Sequence, residues 1–295
     1  MIIAIDLGAT GIKVAPFERT QLPAGGDPLA GSVQTVPTDA DLGKEGIVRA
    51  LDRAISLYLS TQTEGIAVAS AGDVDPRAAC ITYATENLPG MTGFSYADYA
   101  KKYDLPISAI NDAHAALLGE LYDGAGKDHT DKRVVMLTLG SGVGGAYAVD
   151  GKIVSTKEND YARFGHICLE EDGFSCTCGK KGCAEMYMSG RAIHRQAAVA
   201  GIDDGDLFQR YLEGEQTHVA FMDRFRLQLA QLLEKVAETS PFDVCIIGGG
   251  VADWMGDAFD QIVDGFPFPV IRATLGNRAG VYGAYRHFNS GEVSR

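Results

Sequence analysis

Ile2-Ile3-Ala4-Ile5-Asp6-Leu7-Gly8-Ala9-Thr10-Gly11 begins the chain, and Val134-Val135-Met136-Leu137-Thr138-Leu139-Gly140-Ser141-Gly142 repeats its pattern near the middle. Each is an apolar run that ends in a glycine turn, and a second apolar run follows at 12–17 and at 143–149. Such a pattern reads as a β-hairpin. Aligned this way, Asp6 corresponds to Thr138 and Gly8 to Gly140. The repeat predicts two lobes, each opened by a glycine-turned hairpin and facing the other across a cleft. Two unrelated hairpins in one sheet would be the alternative.

Between and after the hairpins, strand and helix patterns alternate. Ile47, Leu51, Ala54, Ile55 and Tyr58 recur at helical spacing, and 65–69 reads as a buried strand. A strand at 80–84, an acidic amphipathic piece at 95–103 and a strand at 107–110 follow. Asn111 and Asp112 both suit a helix N-terminus, and 113–121 is strongly helix-forming. Phe221, Phe225, Leu229, Leu232, Leu233 and Val236 mark a long amphipathic helix, and 243–247 is a strand running into Gly248-Gly249-Gly250. This alternation predicts an α/β fold whose parallel or mixed sheets are covered by helices.

With 295 residues, 46% of them hydrophobic and 22% charged, the chain is long enough for two modest domains. A net charge of -13 with no basic cluster argues against a nucleic-acid surface. No apolar stretch is long enough to span a membrane. Nothing at the N-terminus resembles a signal peptide, so a cytoplasmic protein with reduced thiols is expected.

His166, Cys176, Cys178 and Cys183 follow the spacing His-x9-Cys-x-Cys-x4-Cys. An imidazole and three thiolates complete a tetrahedral set for Zn2+, and four protein ligands leave no open position, so the ion would be structural. The alternatives are disulfides, which a reducing compartment disfavours, or a chance gathering of thiols. Cys80, Cys168 and Cys245 lie in apolar stretches and read as core. Glu185 stands two residues past the last ligand, and the second ring nitrogen of His166 remains for another partner.

Three glycine turns follow three apolar strands, at 8–11, 140–145 and 248–250. Glycine lets backbone N–H groups approach phosphate closely, although each turn alone also suits a structural hairpin. Asp6 can hold Mg2+ through water, and Thr10 and Lys13 add a hydroxyl and a cation. Asp112, at a strand-to-helix junction, reads either as a helix cap or as a carboxylate that takes the proton of an attacking hydroxyl during phosphoryl transfer. The nucleotide-type turns favour the base. His114, two residues on, points to another side of the helix and reads as structural.

Together these residues resemble the ROK group (repressors, open reading frames and kinases) of the sugar kinase, Hsp70 and actin superfamily. The matching pieces are Asp6-Leu7-Gly8-Ala9-Thr10 with Lys13, Glu86-Asn87-Leu88-Pro89-Gly90, Asn111-Asp112-Ala113, 139–145, the cysteine cluster through Ser189-Gly190, and Gly248-Gly249-Gly250-Val251. The resemblance extends to the glucokinases, N-acetylmannosamine kinases and β-glucoside kinases of the group. It implies two lobes of a duplicated ribonuclease H-like (actin-like ATPase) fold, with 1–113 plus 281–295 in one and 114–280 in the other. It also implies ATP with Mg2+ placed by Asp6, phosphates cradled by Gly8, Ala9 and Thr10 and by Gly140, Ser141, Gly142 and Gly144, and adenosine near Gly248, Gly249 and Gly250. Asn87, Asn111, Asp112, His166 and Glu185 would bond a sugar, with Asp112 as base. A homodimer is expected on the same ground.

Two departures from the family pattern stand out. Arg163-Phe164-Gly165-His166 replaces the usual Glu-x-Gly-His, so a sugar-facing acceptor has become a cation with five donors. Arg163 would bond hydroxyls, meet an anionic group on an unusual substrate, or turn to solvent. Ser70-Ala71-Gly72 stands where many glucokinases have Gly-x-Pro-Gly. The expected activity is ATP-dependent phosphorylation of a hexose, hexose derivative or glycoside at the primary (6-) hydroxyl. The alternative is a non-catalytic sugar sensor or regulator of the same fold; a repressor's helix-turn-helix is not expected, since the phosphate strand begins at Ile2. Specificity is expected to depend on 155–163.

Overall fold

The computed structural model describes residues 1–18, 27–154 and 163–291. Most of the stretch expected to set specificity, 155–162, and the terminal residues 292–295 lie outside the described residues. Twelve strands are described, β1 (Ile2–Leu7), β2 (Gly11–Phe17), β3 (Gln34–Pro37), β4 (Gly65–Ser70), β5 (Asp73–Asp75), β6 (Cys80–Tyr83), β7 (Ile107–Asn111), β8 (Arg133–Leu139), β9 (Val143–Val149), β10 (Lys152–Ile153), β11 (Val244–Gly248) and β12 (Val270–Arg272). The α-helices are α1 (Gly43–Ser56), α2 (Tyr96–Ala100), α3 (Asp112–Asp123), α4 (Glu185–Met188), α5 (Gly190–Val199), α6 (Leu207–Leu212), α7 (Gln216–Thr239), α8 (Gly250–Met255), α9 (Ala258–Val263) and α10 (Ala279–Asn289). None is long and apolar enough to cross a membrane.

Two five-stranded sheets share one topology. The first has the order β3-β2-β1-β4-β7 and the second β10-β9-β8-β11-β12. In each, the leading hairpin is antiparallel and two further strands add parallel to its first strand. The repeated hairpins are therefore repeated sheets. Their turns differ by one residue: residues 8–11 separate the paired Leu7 and Ile12, whereas 140–142 separate Leu139 and Val143.

The chain divides into two compact units, one formed by Met1–Gly124 with the segment from Asn277, the other by Ala125–Gly276. Each has its own core. In the first, Ile3, Ile5 and Leu7 of β1 pack with Ile47, Leu51 and Ile55, the apolar stripe of α1. In the second, the α7 residues Phe225, Leu229, Leu232 and Val236 join Val135, Leu137 and Ile247 of the sheet.

The division falls at 124/125 and 276/277, not at 113/114 and 280/281, because α3 belongs wholly to the first unit, where it packs along α10. That contact is close. A Cβ at Gly283 would stand 1.6 Å from the Ala115 carbonyl oxygen, and one at Gly119 2.4 Å from that of Ala279. The strand expected at 80–84 is β6, which pairs with β5 in a separate two-stranded hairpin. The acidic piece at 95–103 resolves into α2, capped by Ser95, and a 3-10 turn.

Because backbone, which yields little, meets the new methyl group, Gly283→Ala should destabilise the protein by about 2 kcal/mol or more. Urea unfolding followed by circular dichroism would measure it, and an unchanged midpoint would contradict the contact.

Candidate functional site

In the first unit the polar groups gather around the end of β1. Asn111, the last residue of β7, caps α3: its Oδ1 accepts the N–H groups of Ala113 (3.0 Å) and His114 (3.2 Å). Its Nδ2 donates to the Gly72 carbonyl (2.9 Å) and to Asp112 Oδ1 (3.0 Å). The cap is thus Asn111, and Asp112 is the first helical residue, its Oδ1 accepting from Ala113 N at 2.9 Å. Burial, and after it the negative charge of Asp6, push the Asp112 carboxyl up to about 7 against the opposing pull of those hydrogen bonds. Asp6 in turn holds Lys13, its cross-strand partner, at 3.1 Å.

Gly280 and Thr38, which sequence reasoning passed over, complete this group together with Ser70. Gly280, near the start of α10, makes room for Asp6, since a Cβ there would lie 2.6 Å from the Asp6 carboxyl carbon. Thr38, fully buried, donates its hydroxyl to the Gly8 carbonyl at 2.7 Å and steadies the first glycine turn, which closes through Gly8 N to Gly11 O at 3.1 Å. Ser70 accepts the Tyr96 hydroxyl at 2.9 Å, just ahead of the Gly72 carbonyl that holds Asn111. Ala9 is half-buried and Thr10 exposed in the turn. Asn87 stands exposed in the turn 85–90, its backbone N–H on Thr85 Oγ1, and takes no part in the bonds that tie Asn111 to Asp112. His114 is buried; burial and the neighbouring His287 push its imidazole down to about 4.

In the second unit three segments converge on the turn 140–142, which closes through Gly140 N to Gly142 O at 2.9 Å. Glu185 Oε2 accepts the Val143 N–H at 3.0 Å, Gly190 N donates to the Gly140 carbonyl at 2.7 Å, and Arg191 Nε donates to the Ser141 carbonyl at 2.9 Å. Gly249 packs on the end of β8 with φ 90°, where a Cβ would meet the Leu139 carbonyl oxygen at 2.5 Å, so only glycine fits between Gly248 and Gly250. Gly144 lies in the ladder opposite Thr138 and is part of β9, not of the turn.

The four metal-type ligands form one cluster. The ligand atoms of His166, Cys176, Cys178 and Cys183 all lie within 4.8 Å of one another, with His166 Nδ1 3.6 Å from Cys176 Sγ and Cys178 Sγ 3.5 Å from Cys183 Sγ. Tetrahedral Zn–S bonds of about 2.3 Å place neighbouring sulfurs roughly 3.8 Å apart, so the set fits such an ion, and the thiols are free rather than disulfide-bonded. With Nδ1 turned to the thiols, Nε2 is the His166 nitrogen left outside the cluster. The loop is tied to the glycine turn through Gly165, where a Cβ would stand 2.2 Å from the Val143 carbonyl oxygen, and through Glu185. Arg163 is exposed just ahead of the 3-10 turn Phe164–His166.

Two measurements follow from this geometry. Purified protein should carry one metal ion per chain by plasma mass spectrometry, and Cys178→Ser should lose it; metal-free wild type would overturn the cluster as a metal site. Asp112 takes its proton near pH 7 in the folded chain but near its ordinary 3.8 when unfolded, so the folded state binds more protons between those values and stability falls as pH rises through them. Asp112→Asn removes that penalty. Its melting temperature should exceed wild type by more at pH 8 than at pH 4, and the gain in unfolding free energy has an upper bound on the order of 4 kcal/mol.

The family model for the ROK family matches residues 2–289. An N-acetylmannosamine kinase of Escherichia fergusonii is 30% identical over 252 residues, covering 84% of this chain and 82% of its own. A glucokinase of Thermotoga maritima is 27% identical over 313 residues, covering 96% and 95%. The crystal structure of a ROK family glucokinase from Streptomyces griseus in complex with glucose and AMPPNP superposes with a TM-score of 0.75 at 27% identity, over 98% of this chain and 99% of that one. The repeated sheets therefore match the actin-like ATPase architecture of those kinases, and the chain belongs to the ROK family.

Proposed function

We propose that the protein is an ATP-dependent kinase that phosphorylates a hexose, hexose derivative or glycoside at its primary hydroxyl, with Asp112 as general base. The observation that carries this reading is the state of Asp112: a carboxyl relieved of capping by Asn111, raised to about 7 and set beside Asp6. A carboxylate with that affinity for a proton can accept one from an alcohol as its oxygen bonds to phosphorus, while an ordinary surface carboxylate holds a proton too weakly. The sugar hydroxyl would lose its proton to Asp112, the new O–P bond would form, and the bond from the γ-phosphorus to its bridging oxygen would break to leave ADP. Bound Mg2+ would neutralise charge on the phosphates, and Asp6 with Lys13 supplies the carboxylate and cation beside it.

The glycine turns 8–11 and 140–142 would hold phosphate oxygens on backbone N–H groups, with residues 248–250 nearer the adenosine. Asn111 and Asp112, the free Nε2 of His166, and Glu185 Oε1 are the groups this reading gives to the sugar. Glu185 Oε2 is already engaged by Val143, so that residue serves the turn as well. Zn2+ is the ion that one imidazole and three thiolates suit best, with a structural role. Asn87 and Arg163 reach the sugar in this reading only through the turn 85–90 and the segment before His166, and the homodimer remains the expected assembly.

The test is ADP release with Mg-ATP over a panel of hexoses, N-acetylhexosamines, β-glucosides and sugar acids. One class of acceptor should turn over, and Asp112→Asn should reduce kcat at least a hundredfold; silence across the panel with sugar still bound would favour a sensor. The pH profile of kcat/KM should rise along an acidic limb set by Asp112 and lie well above 3.8. Arg163→Glu should raise turnover of glucose, and an unchanged sugar profile would remove Arg163 from the specificity site.

A further inference from the structure

From these contacts we infer that Arg191, in the first turn of α5, is a phosphate-binding residue for the nucleotide; this rests on the kinase reading above. Arg191 is tied to the glycine turn by a single bond, Nε to the Ser141 carbonyl at 2.9 Å, and its side chain is otherwise exposed. A guanidinium anchored through Nε has a fixed plane, and its terminal nitrogens carry four further N–H groups in a fork suited to phosphate oxygens.

The turn it holds has been made ready for an anion on one side only. Val143 N–H is taken by Glu185 and Gly140 N–H by Gly142, so the turn's own backbone donors are reduced to those of Ser141 and Gly142. Glu185 also brings a carboxylate to within 2.6 Å of where a Gly142 Cβ would stand, a negative charge that opposes a polyphosphate. In a chain of net charge -13, two N–H groups beside a carboxylate make a poor anion site without a cation. Arg191 is the cation bonded to this turn among the described residues, and it enters from α5, a ten-residue helix whose N-terminal dipole adds to it. Gly190, which bonds the Gly140 carbonyl, and Ser189, whose hydroxyl accepts from Ala192 N at 3.3 Å, fix the start of that helix and hence the Arg191 backbone.

Calorimetric binding of Mg-ATP, adenosine and the accepted sugar to wild type, Arg191→Ala and Arg191→Lys tests the inference. Arg191→Ala should weaken Mg-ATP roughly ten- to a hundredfold while leaving adenosine and sugar unchanged, and Arg191→Lys, which restores the charge without the planar tie, should recover part of the loss. Equal weakening of Mg-ATP and adenosine would assign Arg191 to the shape of the turn alone and overturn the proposal, as would unchanged Mg-ATP binding. Wild type that binds no Mg-ATP would overturn the kinase reading itself, an outcome distinct from a variant that behaves as wild type.

Discussion

Two helices can bring their backbones into contact only where the side chains between them are absent, and α3 and α10 meet at Gly119 and Gly283. The candidate site of the first unit depends on that approach. It lays α10 onto the sheet so that Gly280 faces the Asp6 carboxylate, and it fixes the axis of α3, whose first residue is Asp112. Two carboxylates are thereby held near enough for one to raise the other's proton affinity, an arrangement that opposes folding and persists because the surrounding contacts over-determine it.

The second unit solves a different problem. Residues 163–184 form a loop with one short 3-10 turn, of which Phe164, Leu169 and Ala184 reach the core of that unit. The four side chains of His166, Cys176, Cys178 and Cys183 also gather there, and the chain leaves that cluster at Cys183 directly into Glu185, Gly190 and Arg191, the residues bonded to the turn 140–142 and to Val143 after it. Order in the loop and order in the turn are therefore one mechanical unit.

Strands and the main helices were legible because their signals are local. Apolar runs broken by glycine gave both hairpins, and i, i+3, i+4 spacing gave α1 and α7. The α10 helix was hidden by its own function: Gly280 and Gly283 lower helix propensity where close approach demands them. Which of Asn111 and Asp112 caps α3 was undecidable from sequence, since both side chains suit the position and the choice turns on a distant acceptor, the Gly72 carbonyl. The bond from Val143 N to Glu185 spans 42 residues, and no local pattern encodes it. The gathering of His166 with its three cysteines was legible because residue type and spacing together suit one tetrahedral centre.

The one-residue difference between the turns 8–11 and 140–142 also bears on how the two halves diverged. A fixed-offset alignment of the halves would match Lys13 to Gly145, whereas the ladders match it to Gly144, the partner of Thr138. An insertion or deletion confined to the turn is silent to the sheet; the same change inside β9 would turn every following side chain to the opposite face. Once copied, the hairpin was thus free to vary in loop length and in charge while its strands stayed in register. One copy carries the charged Asp6–Lys13 pair, and the other carries the neutral Thr138 and Gly144 at the equivalent places.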